Sequence, residues 1–251
     1  MLSTMASGHA LQVEYFTREA SGFEIESKYN IGNMEPWLDL CQMVDDISGD
    51  LWAPFKVQTS MGTMPTRTRY LDLVVEFWGV EQQKAWRQIA MCIKHPWDHD
   101  SHMVVFKNKG SVLLENFSSH AHKPLVRREE SKYQWMKKEC AIALIKSHDV
   151  SAQSVGIIRR RKYSVYIYNK HSHRNYCLSC DICLSGERSL SQLEIEYKGR
   201  NGVWFVNEGL ARVELVHEYE QLHLLLLEHY GGILSPTHLT KFDWLLAVRH
   251  N

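Results

Sequence analysis

Strand-like segments follow one another from residue 66 to residue 198, and this succession constrains the fold more than any other feature. β-Branched and aromatic residues are enriched in eight segments, most of them bounded by Gly, Ser, Asn, His or Pro: residues 66–78, 101–110, 111–117, 123–130, 138–146, 154–168, 175–184 and 191–199. Strands at such short intervals, with no helical pattern between them, pair antiparallel in a barrel or a sandwich. The sequence therefore predicts a mainly β fold.

The segment before this region predicts two strands and a helix. Residues 11–16 and 22–32 alternate apolar and polar side chains, as strands do. Residues 36–48 place apolar side chains at helical spacing, with Pro36 suited to the first turn and Gly49 to a C-terminal cap.

After residue 199 the period changes to that of a helix. A long amphipathic helix is predicted to end at Gly231 and Gly232, and a short last helix is predicted around residues 239–248. The long helix carries its apolar stripe at Leu215, Tyr219, Leu222, Leu226 and Tyr230. We expect one domain over residues 1–251, with its strands over about 11–198 and a helical segment over about 207–250.

Composition narrows the class of protein without defining an activity. The 251 residues are 44% hydrophobic and carry 29 acidic and 29 basic residues, so no overall field favours nucleic acid or a membrane as partner. No apolar run approaches the roughly 20 residues of a membrane span. Six cysteines without a secretory signal favour free thiols in a reducing compartment. We expect a soluble protein of the cytoplasm or nucleus.

The second predicted strand is unusual because its charges alternate. Side chains on a strand point to its two faces in turn, so Glu24, Glu26 and Lys28 share one face. Glu194 and Glu196 form the same pattern on the last predicted strand. A single strand of this kind most often displays its acids to water. Two such strands offer a second interpretation, a divalent-cation site.

Basic residues also recur on the strands, at Lys107, Lys109, Arg127, Arg128, Arg159, Arg160, Arg161 and Lys162. Asp181 lies on another strand between uncharged neighbours. Charges of both signs at period two indicate a sheet face that points inward. Because unpaired buried charge is very unfavourable, such an interior holds a charged ligand. Carboxylates bind Mg or Mn through oxygen, and Arg and Lys bind phosphate, so we predict a site that handles polyphosphate.

These motifs resemble a known family. The strand Glu24-Ile-Glu-Ser-Lys28 is similar to the N-terminal signature of the CYTH, or triphosphate tunnel metalloenzyme, superfamily, and Glu194 and Glu196 resemble its last tunnel strand. Within this superfamily, the fungal and protozoan metal-dependent mRNA-capping RNA 5′-triphosphatases tend to have a glycine four residues after the basic residue of this motif. Gly32 stands at that position here, so the chain most resembles these enzymes. The resemblance implies an eight-stranded antiparallel β-barrel, the triphosphate tunnel, with flanking helices. Gln192 stands where the fungal motif has a third acid.

The resemblance also implies a role for each charged residue. One Mn or Mg would be held by Glu24, Glu26, Glu194 and Glu196. The candidate catalytic residues are Lys28, Arg127, Arg128, Arg159, Arg161 and Asp181, with Asp181 orienting a neighbouring Arg or Lys. The candidate substrate-binding residues are Lys107, Lys109, Arg160 and Lys162.

The register of the basic run at residues 159–162 is left open by the sequence. A shift by one residue exchanges the two faces of a strand, so Arg159 and Arg161 face one way and Arg160 and Lys162 the other. The family comparison favours Arg161 facing inward. The same run is also typical of a nuclear-localisation or RNA-binding patch.

By this resemblance the chain is a polynucleotide 5′-phosphatase, a phosphoric anhydride hydrolase that removes the γ-phosphate of nascent mRNA as the first step of capping. It would act in the nucleus as a monomer or homodimer, with an RNA guanylyltransferase as a partner and no membrane. One alternative is a cytoplasmic triphosphatase acting on inorganic triphosphate, thiamine triphosphate or another NTP. Another is a non-catalytic module that binds polyphosphate or an RNA end.

A cysteine motif suggests a competing metal site. Cys177, Cys180 and Cys183 have spacing that can bind zinc or an iron–sulfur cluster. The flanking residues alternate as on a strand, which would turn Cys180 away from the other two. We therefore expect buried free thiols at these positions.

Overall fold

The structure is a computed structural model that describes residues 20–32, 36–58, 60–61, 64–65, 69–107, 112–113, 125–200 and 213–249. In chain order the strands are β1 (Ala20–Ile31), β2 (Phe55–Val57), β3 (Ser60–Met61), β4 (Met64–Pro65), β5 (Arg69–Gln82), β6 (Ala85–Lys94), β7 (Ser101–Lys107), β8 (Val112–Leu113), β9 (Leu125–Lys137), β10 (Gln153–Asn169), β11 (Arg174–Ser185), β12 (Arg188–Arg200) and β13 (Leu234–Thr237). The helices are α1 (Pro36–Ser48), α2 (Lys138–His148), α3 (Val213–Tyr230) and α4 (Lys241–Arg249). The predicted class, mainly antiparallel β with flanking helices, is confirmed.

The chain divides into two compact units. The larger comprises residues 23–72, 110–127 and 159–251, and the smaller comprises residues 1–22, 73–109 and 128–158. The prediction of a single domain stays a prediction.

The larger unit is built on strands in the order β13–β1–β12–β11–β10, with β2 paired to the end of β10. These neighbouring strands pair antiparallel. One face of the sheet is apolar and carries Ile25, Tyr29, Val165, Leu178 and Ile195, all of them buried. Because side chains alternate along each strand, the opposite face carries the intervening residues, many of which are charged.

Helices α1 and α3 pack on the apolar face and form the core of the larger unit with it. The predicted stripe of α3 is buried at Leu215, Tyr219, Leu222 and Leu226. Tyr219 also donates a hydrogen bond from its hydroxyl to the carbonyl oxygen of Ile25 at 2.6 Å, which satisfies the polar end of this buried ring. The sheet is therefore held from behind, and its charged face is left for the site.

The smaller unit has its own core, which lies between strands β5–β6–β7–β9 and helix α2. Ala141 and Ile145 of α2 are fully buried against Trp78, Val104 and Phe106.

The structure corrects the secondary structure expected in this part of the chain. The segment 138–146, predicted as a strand, is helix α2. Ala141 and Ile145 stand four residues apart and are both buried, which is helical periodicity, and the short apolar run between them concealed it. Strands β2, β3, β4, β6 and β13 were not predicted, and the predicted strand at 11–16 lies outside the described residues.

The helices predicted at 36–48 and 239–248 correspond to α1 and α4, and the long C-terminal pattern corresponds to α3. In the described part of the chain, no helix combines the length and the apolar character needed to cross a membrane.

Candidate active site

Antiparallel pairing aligns charged side chains across the polar face of the larger unit. On β1 and β12, Lys28 lies opposite Glu194 and Glu26 lies opposite Glu196. On β11, Ser179 lies opposite Glu194. Residues paired across a ladder point to the same face of the sheet, so these side chains come together although the paired residues of β1 and β12 are more than 160 positions apart in sequence.

Glu194 lies at the centre of this cluster and is 5% exposed. Its Oε1 atom accepts hydrogen bonds from Lys28 Nζ at 2.5 Å and from Lys241 Nζ at 2.6 Å. Arg160 Nη2 donates to Oε2 at 3.4 Å. Lys28 also bonds to Glu26 Oε2 at 2.7 Å, so one ammonium bridges two carboxylates. Glu194 is thus surrounded by three cations.

Asp181 is fully buried beside this centre. Arg160 approaches it in the bidentate geometry that is strongest for a guanidinium and a carboxylate, with Nε at 2.8 Å and Nη2 at 2.6 Å. Lys241 Nζ lies 2.9 Å from the Asp181 carboxylate. Asp181 is therefore in contact with both Arg160 and Lys241, and its predicted role in orienting a neighbouring base stays a prediction.

Two more charged residues extend the cluster along the same face. Lys198 donates a short hydrogen bond to Glu196, and both side chains are largely buried. Lys162 lies opposite Asp181 on β10, and its charge also acts on Glu194. The described face thus combines the cations Lys28, Arg160, Lys162, Lys198 and Lys241 with the carboxylates Glu26, Asp181, Glu194 and Glu196.

The cations keep these buried carboxylates ionised. Burial by itself would raise the pKa of Glu194, but Lys241, Lys28 and Arg160 outweigh burial and hold that pKa well below its usual value. Burial opposes ionisation of Asp181 in the same way, and Arg160 and Lys241 lower its pKa. For Lys241, burial by itself would lower the pKa, but the charges of Asp181 and Glu194 outweigh burial and raise it.

Two neutral polar atoms in the cluster point to a ligand or ordered water. Ser179 Oγ and Gln192 Oε1 are buried, and neither has a hydrogen-bond partner within the described ranges. The Gln192 amide nitrogen does donate, to Asn30 Oδ1 at 3.1 Å and to the Leu239 carbonyl at 2.9 Å. Buried polar atoms are rarely left unbonded in native proteins, so this face has hydrogen-bonding capacity to spare.

The structure brings together seven of the predicted site residues: Glu26, Lys28, Arg160, Lys162, Asp181, Glu194 and Glu196. Glu24, Arg127, Arg128, Lys107 and Lys109 are not among them. Glu24 lies on β1, and Arg127 and Arg128 lie on β9, but their side chains are outside the described part, as is the whole of Lys109. Lys107 ends β7 and belongs to the smaller unit.

The arginine of residues 159–162 that faces the charged cluster is not the one expected. Arg160 contacts Asp181 and Glu194, whereas Arg159 and Arg161 lie beside Asp72 with side chains 56% and 41% exposed. The expectation that Arg161 faces inward is therefore wrong. The pairing of Lys162 with Asp181 sets the register, and strand alternation then turns Arg161 away.

Lys198 and Lys241 belong to the cluster but were not predicted. A signal for Lys198 was available, because Glu194-Ile-Glu196-Tyr-Lys198 repeats the Glu-x-Glu-x-Lys pattern of β1. No signal marked Lys241. It opens helix α4, and only the packing of that helix carries its side chain to Asp181 and Glu194.

The cysteine motif follows the strand interpretation. Cys180 belongs to the apolar core, while Cys177 and Cys183 lie on the polar face opposite Glu196 and Leu190. All three are buried thiols outside any disulfide in the described part of the chain, and burial raises the pKa of Cys183 to about 11.

The glutamates suit a divalent cation in chemistry, since carboxylate oxygens are the ligands that Mg and Mn prefer. Glu26 and Glu196 are cross-strand neighbours, and Glu194 is the next acid on the same face. However, no three His, Cys, Asp or Glu side chains in the described ranges form a ready-made metal site. Lysine ammonium groups contact all three glutamates instead. A metal would therefore have to compete with Lys28 and Lys198.

Comparison with known proteins identifies the fold. No protein-family model and no curated protein matches the chain. Among solved structures, an adenylyl cyclase from Hippeastrum with a dominant triphosphatase activity matches with a TM-score of 0.50 and 10% identity, over 90% of this chain and 96% of that one. The chain shares its fold.

Two other solved structures are similar at lower scores. A Bacillus halodurans protein assigned as an adenylate cyclase has a TM-score of 0.45 and 13% identity, over 89% of this chain and 97% of its own. The Pct1 RNA triphosphatase of S. pombe, in complex with the Spt5 CTD, has a TM-score of 0.35 and 9% identity, over 88% and 85%.

Proposed function

We propose that this chain is a metal-dependent triphosphatase that hydrolyses the terminal phosphoanhydride bond of a triphosphate. The observation that carries the proposal is the buried polar face, where five cations and four carboxylates lie together on strands β1, β10, β11 and β12 and on helix α4. The triphosphatase activity reported for the Hippeastrum protein, which has the same fold, supports it.

The cations of this face are suited to binding phosphate oxygens. Lys28, Arg160 and Lys241 are already held in place by ion pairs with Asp181 and Glu194, so little conformational entropy is lost when they bind an anion. Phosphoryl transfer depends mainly on positioning and on electrostatic stabilisation of charge on the phosphoryl oxygens. We assign these three residues to the β- and γ-phosphates.

The carboxylates would hold the metal and orient the attacking water. Glu26, Glu194 and Glu196 would bind Mg or Mn together with Glu24, and the bound ion would polarise the γ-phosphate. A carboxylate that does not bind the metal can accept a proton from the attacking water. Asp181 is committed to Arg160 and Lys241, so we assign it to positioning.

For the substrate we propose the 5′-triphosphate end of RNA, with the chain acting in the nucleus in the first step of mRNA capping beside an RNA guanylyltransferase. The support is the sequence resemblance, including Gly32, which follows β1 and donates its backbone N–H to the carbonyl of Ile233 at 2.8 Å. A small triphosphate such as ATP, thiamine triphosphate or inorganic triphosphate is the second candidate, and the triphosphatase activity of the Hippeastrum protein is compatible with either substrate.

Phosphate release from γ-labelled RNA and from ATP, each with Mg, Mn or a chelator, tests the proposal. We expect metal-dependent release that falls at least about 100-fold in Glu26→Ala and Glu196→Ala. Glu187→Ala is the matched control, because Glu187 is exposed at the turn between β11 and β12. A lower KM for RNA than for ATP would favour the capping assignment.

Two results would contradict the proposal. Activity near wild type in both glutamate variants would remove the assigned metal ligands. Binding of triphosphate without any phosphate release in Mg or Mn would favour a non-catalytic module instead.

A further inference from the structure

The half of the basic run that faces away from the cluster forms a surface of its own. Arg159, Arg161 and Tyr163 occupy alternate positions of β10, on the face opposite to Arg160 and Lys162. Tyr70 and Asp72 of β5 lie beside them. We call these five residues the arginine–tyrosine patch, and all of them belong to the larger unit.

Two aromatic rings lie together in this patch. The ring centroids of Tyr70 and Tyr163 are 4.9 Å apart, and the rings are inclined at 40°. Tyr163 packs against the core of the larger unit and is partly buried, whereas Tyr70 is 51% exposed. The inner ring thus supports the outer one, which leaves a fixed aromatic surface open to solvent.

The patch also has more positive than negative charge. Arg159 binds Asp72 through Nε at 3.0 Å and Nη2 at 2.7 Å, which uses both oxygens of that carboxylate. Arg161 Nε lies 3.9 Å from Asp72, beyond hydrogen-bonding distance, and this atom is buried without a hydrogen-bond partner in the described part of the chain. The Arg161 side chain as a whole is 41% exposed. One carboxylate therefore faces two guanidinium groups, and the exposed part of the Arg161 side chain is the part that can meet an anion.

We propose that the arginine–tyrosine patch binds the single-stranded body of an RNA whose triphosphate end enters the polar face. Single-strand sites combine aromatic rings, on which bases stack, with basic groups that contact the backbone. Tyr70 supplies the exposed ring and Arg161 the phosphate contact. This inference rests on the proposed function for its choice of RNA over other polyanions.

Strand alternation predicts which substrates the patch can affect. Arg160 and Arg161 are consecutive and point to opposite faces of the sheet. A nucleotide held by Arg160 therefore does not reach Arg161, and only a longer chain can contact both faces. The patch accordingly favours RNA over free nucleotide, which is the discrimination that a capping enzyme requires.

Binding of an RNA with a 5′-hydroxyl tests the patch apart from hydrolysis. The probe is about 20 nucleotides long, which exceeds the roughly 4–16 nucleotides of typical single-strand sites. We expect Tyr70→Ala to weaken its binding at least about fivefold, because base stacking on an aromatic ring is lost, and Tyr70→Phe to retain it. Trp97→Ala is the control, since Trp97 is 57% exposed on a loop of the smaller unit.

Arg161→Ala provides a second variant that does not depend on Tyr70. We expect the slope of log affinity against log salt concentration to fall by about 0.7, the value for one phosphate contact on a single strand. In steady-state assays, kcat/KM for triphosphate-ended RNA should fall relative to kcat/KM for ATP in Tyr70→Ala.

Several outcomes would contradict the proposal that the arginine–tyrosine patch binds RNA. They are absence of 5′-hydroxyl RNA binding by the wild type, unchanged affinity in both Tyr70→Ala and Arg161→Ala, and an equal loss in Trp97→Ala. Displacement of the RNA by polyglutamate at equal charge concentration would also overturn it, because charge alone would then explain binding. The two proposals can fail separately. If the protein binds this RNA through Tyr70 but releases no phosphate, RNA binding by the arginine–tyrosine patch is supported and the triphosphatase activity is contradicted.

Discussion

Arg160 and Arg161 are adjacent in sequence, yet the structure predicts very different consequences for their replacement. Arg160 is 16% exposed at its side chain and makes two hydrogen bonds to the fully buried Asp181. Arg161 is 41% exposed and approaches Asp72 only at 3.9 Å. We compare Arg160→Met with Arg161→Met, which remove the same charge and leave side chains of similar length.

The expected magnitude follows from what each substitution leaves behind. Removing one partner of a buried ion pair costs about 3–5 kcal/mol, because the other charge stays buried without it. Lys241 remains 2.9 Å from Asp181, so we expect the lower end, about 3 kcal/mol, for Arg160→Met. Arg161→Met should change the free energy of unfolding by less than about 0.5 kcal/mol, as surface substitutions usually do.

Thermal unfolding followed by circular dichroism measures the difference. For a chain of this size, about 3 kcal/mol corresponds to a loss of roughly 6–12 °C in Tm. Arg160→Lys serves as a control, because it keeps the charge but cannot form the bidentate contact, and its Tm should fall between wild type and Arg160→Met.

The result that refutes this reasoning is equal destabilisation by the two methionine variants, or destabilisation by Arg161→Met alone. Either outcome would mean that β10 is shifted by one residue against β11. The assignment of Arg160 to phosphate binding would then pass to Arg161.

Three further predictions concern the same cluster. Ser179→Ala should raise the free energy of unfolding by about 1 kcal/mol, because it removes a buried hydroxyl that has no partner among the described residues. The same variant should show a smaller Tm gain from added tripolyphosphate than wild type, and a destabilised variant would contradict the prediction. Lys241→Met should lower kcat about 100-fold while Lys241→Arg retains activity, and wild-type kcat in the methionine variant would exclude a phosphate contact. The lowered pKa values of Glu194 and Asp181 stabilise the fold above their usual values near 4.5 and 3.8, and this contribution is lost as pH falls through the depressed values. Urea midpoints between pH 7 and 3 should therefore fall more steeply for wild type than for Glu194→Gln, and parallel curves would contradict the prediction.

Several parts of the fold and site could be predicted because their signal is local. The alternation of Glu24, Glu26 and Lys28 indicated a strand, and the stripe from Leu215 to Leu226 indicated a helix. Both patterns arise from one element meeting one apolar surface, so a few neighbouring residues are enough to reveal them.

Helix α2 was missed because its local signal is ambiguous. A short apolar run fits both a buried strand and a buried helix, and only the burial of Ala141 and Ile145 against β-strands distinguishes the two. The facing of Arg160 is a similar case. Alternation predicts that Arg160 and Arg161 differ, but only the pairing with β11 determines which one meets Asp181.

The sequence by itself determined the composition of the candidate site: which strands carry acids and bases, and that those on one strand at period two share a face. Tertiary structure decided which charges meet. Lys28 meets Glu194 because β1 and β12 pair in one register, and Lys241 joins them because helix α4 packs beside that sheet. These contacts join residues far apart along the chain, and their energies depend on distance and burial, quantities that no local pattern contains.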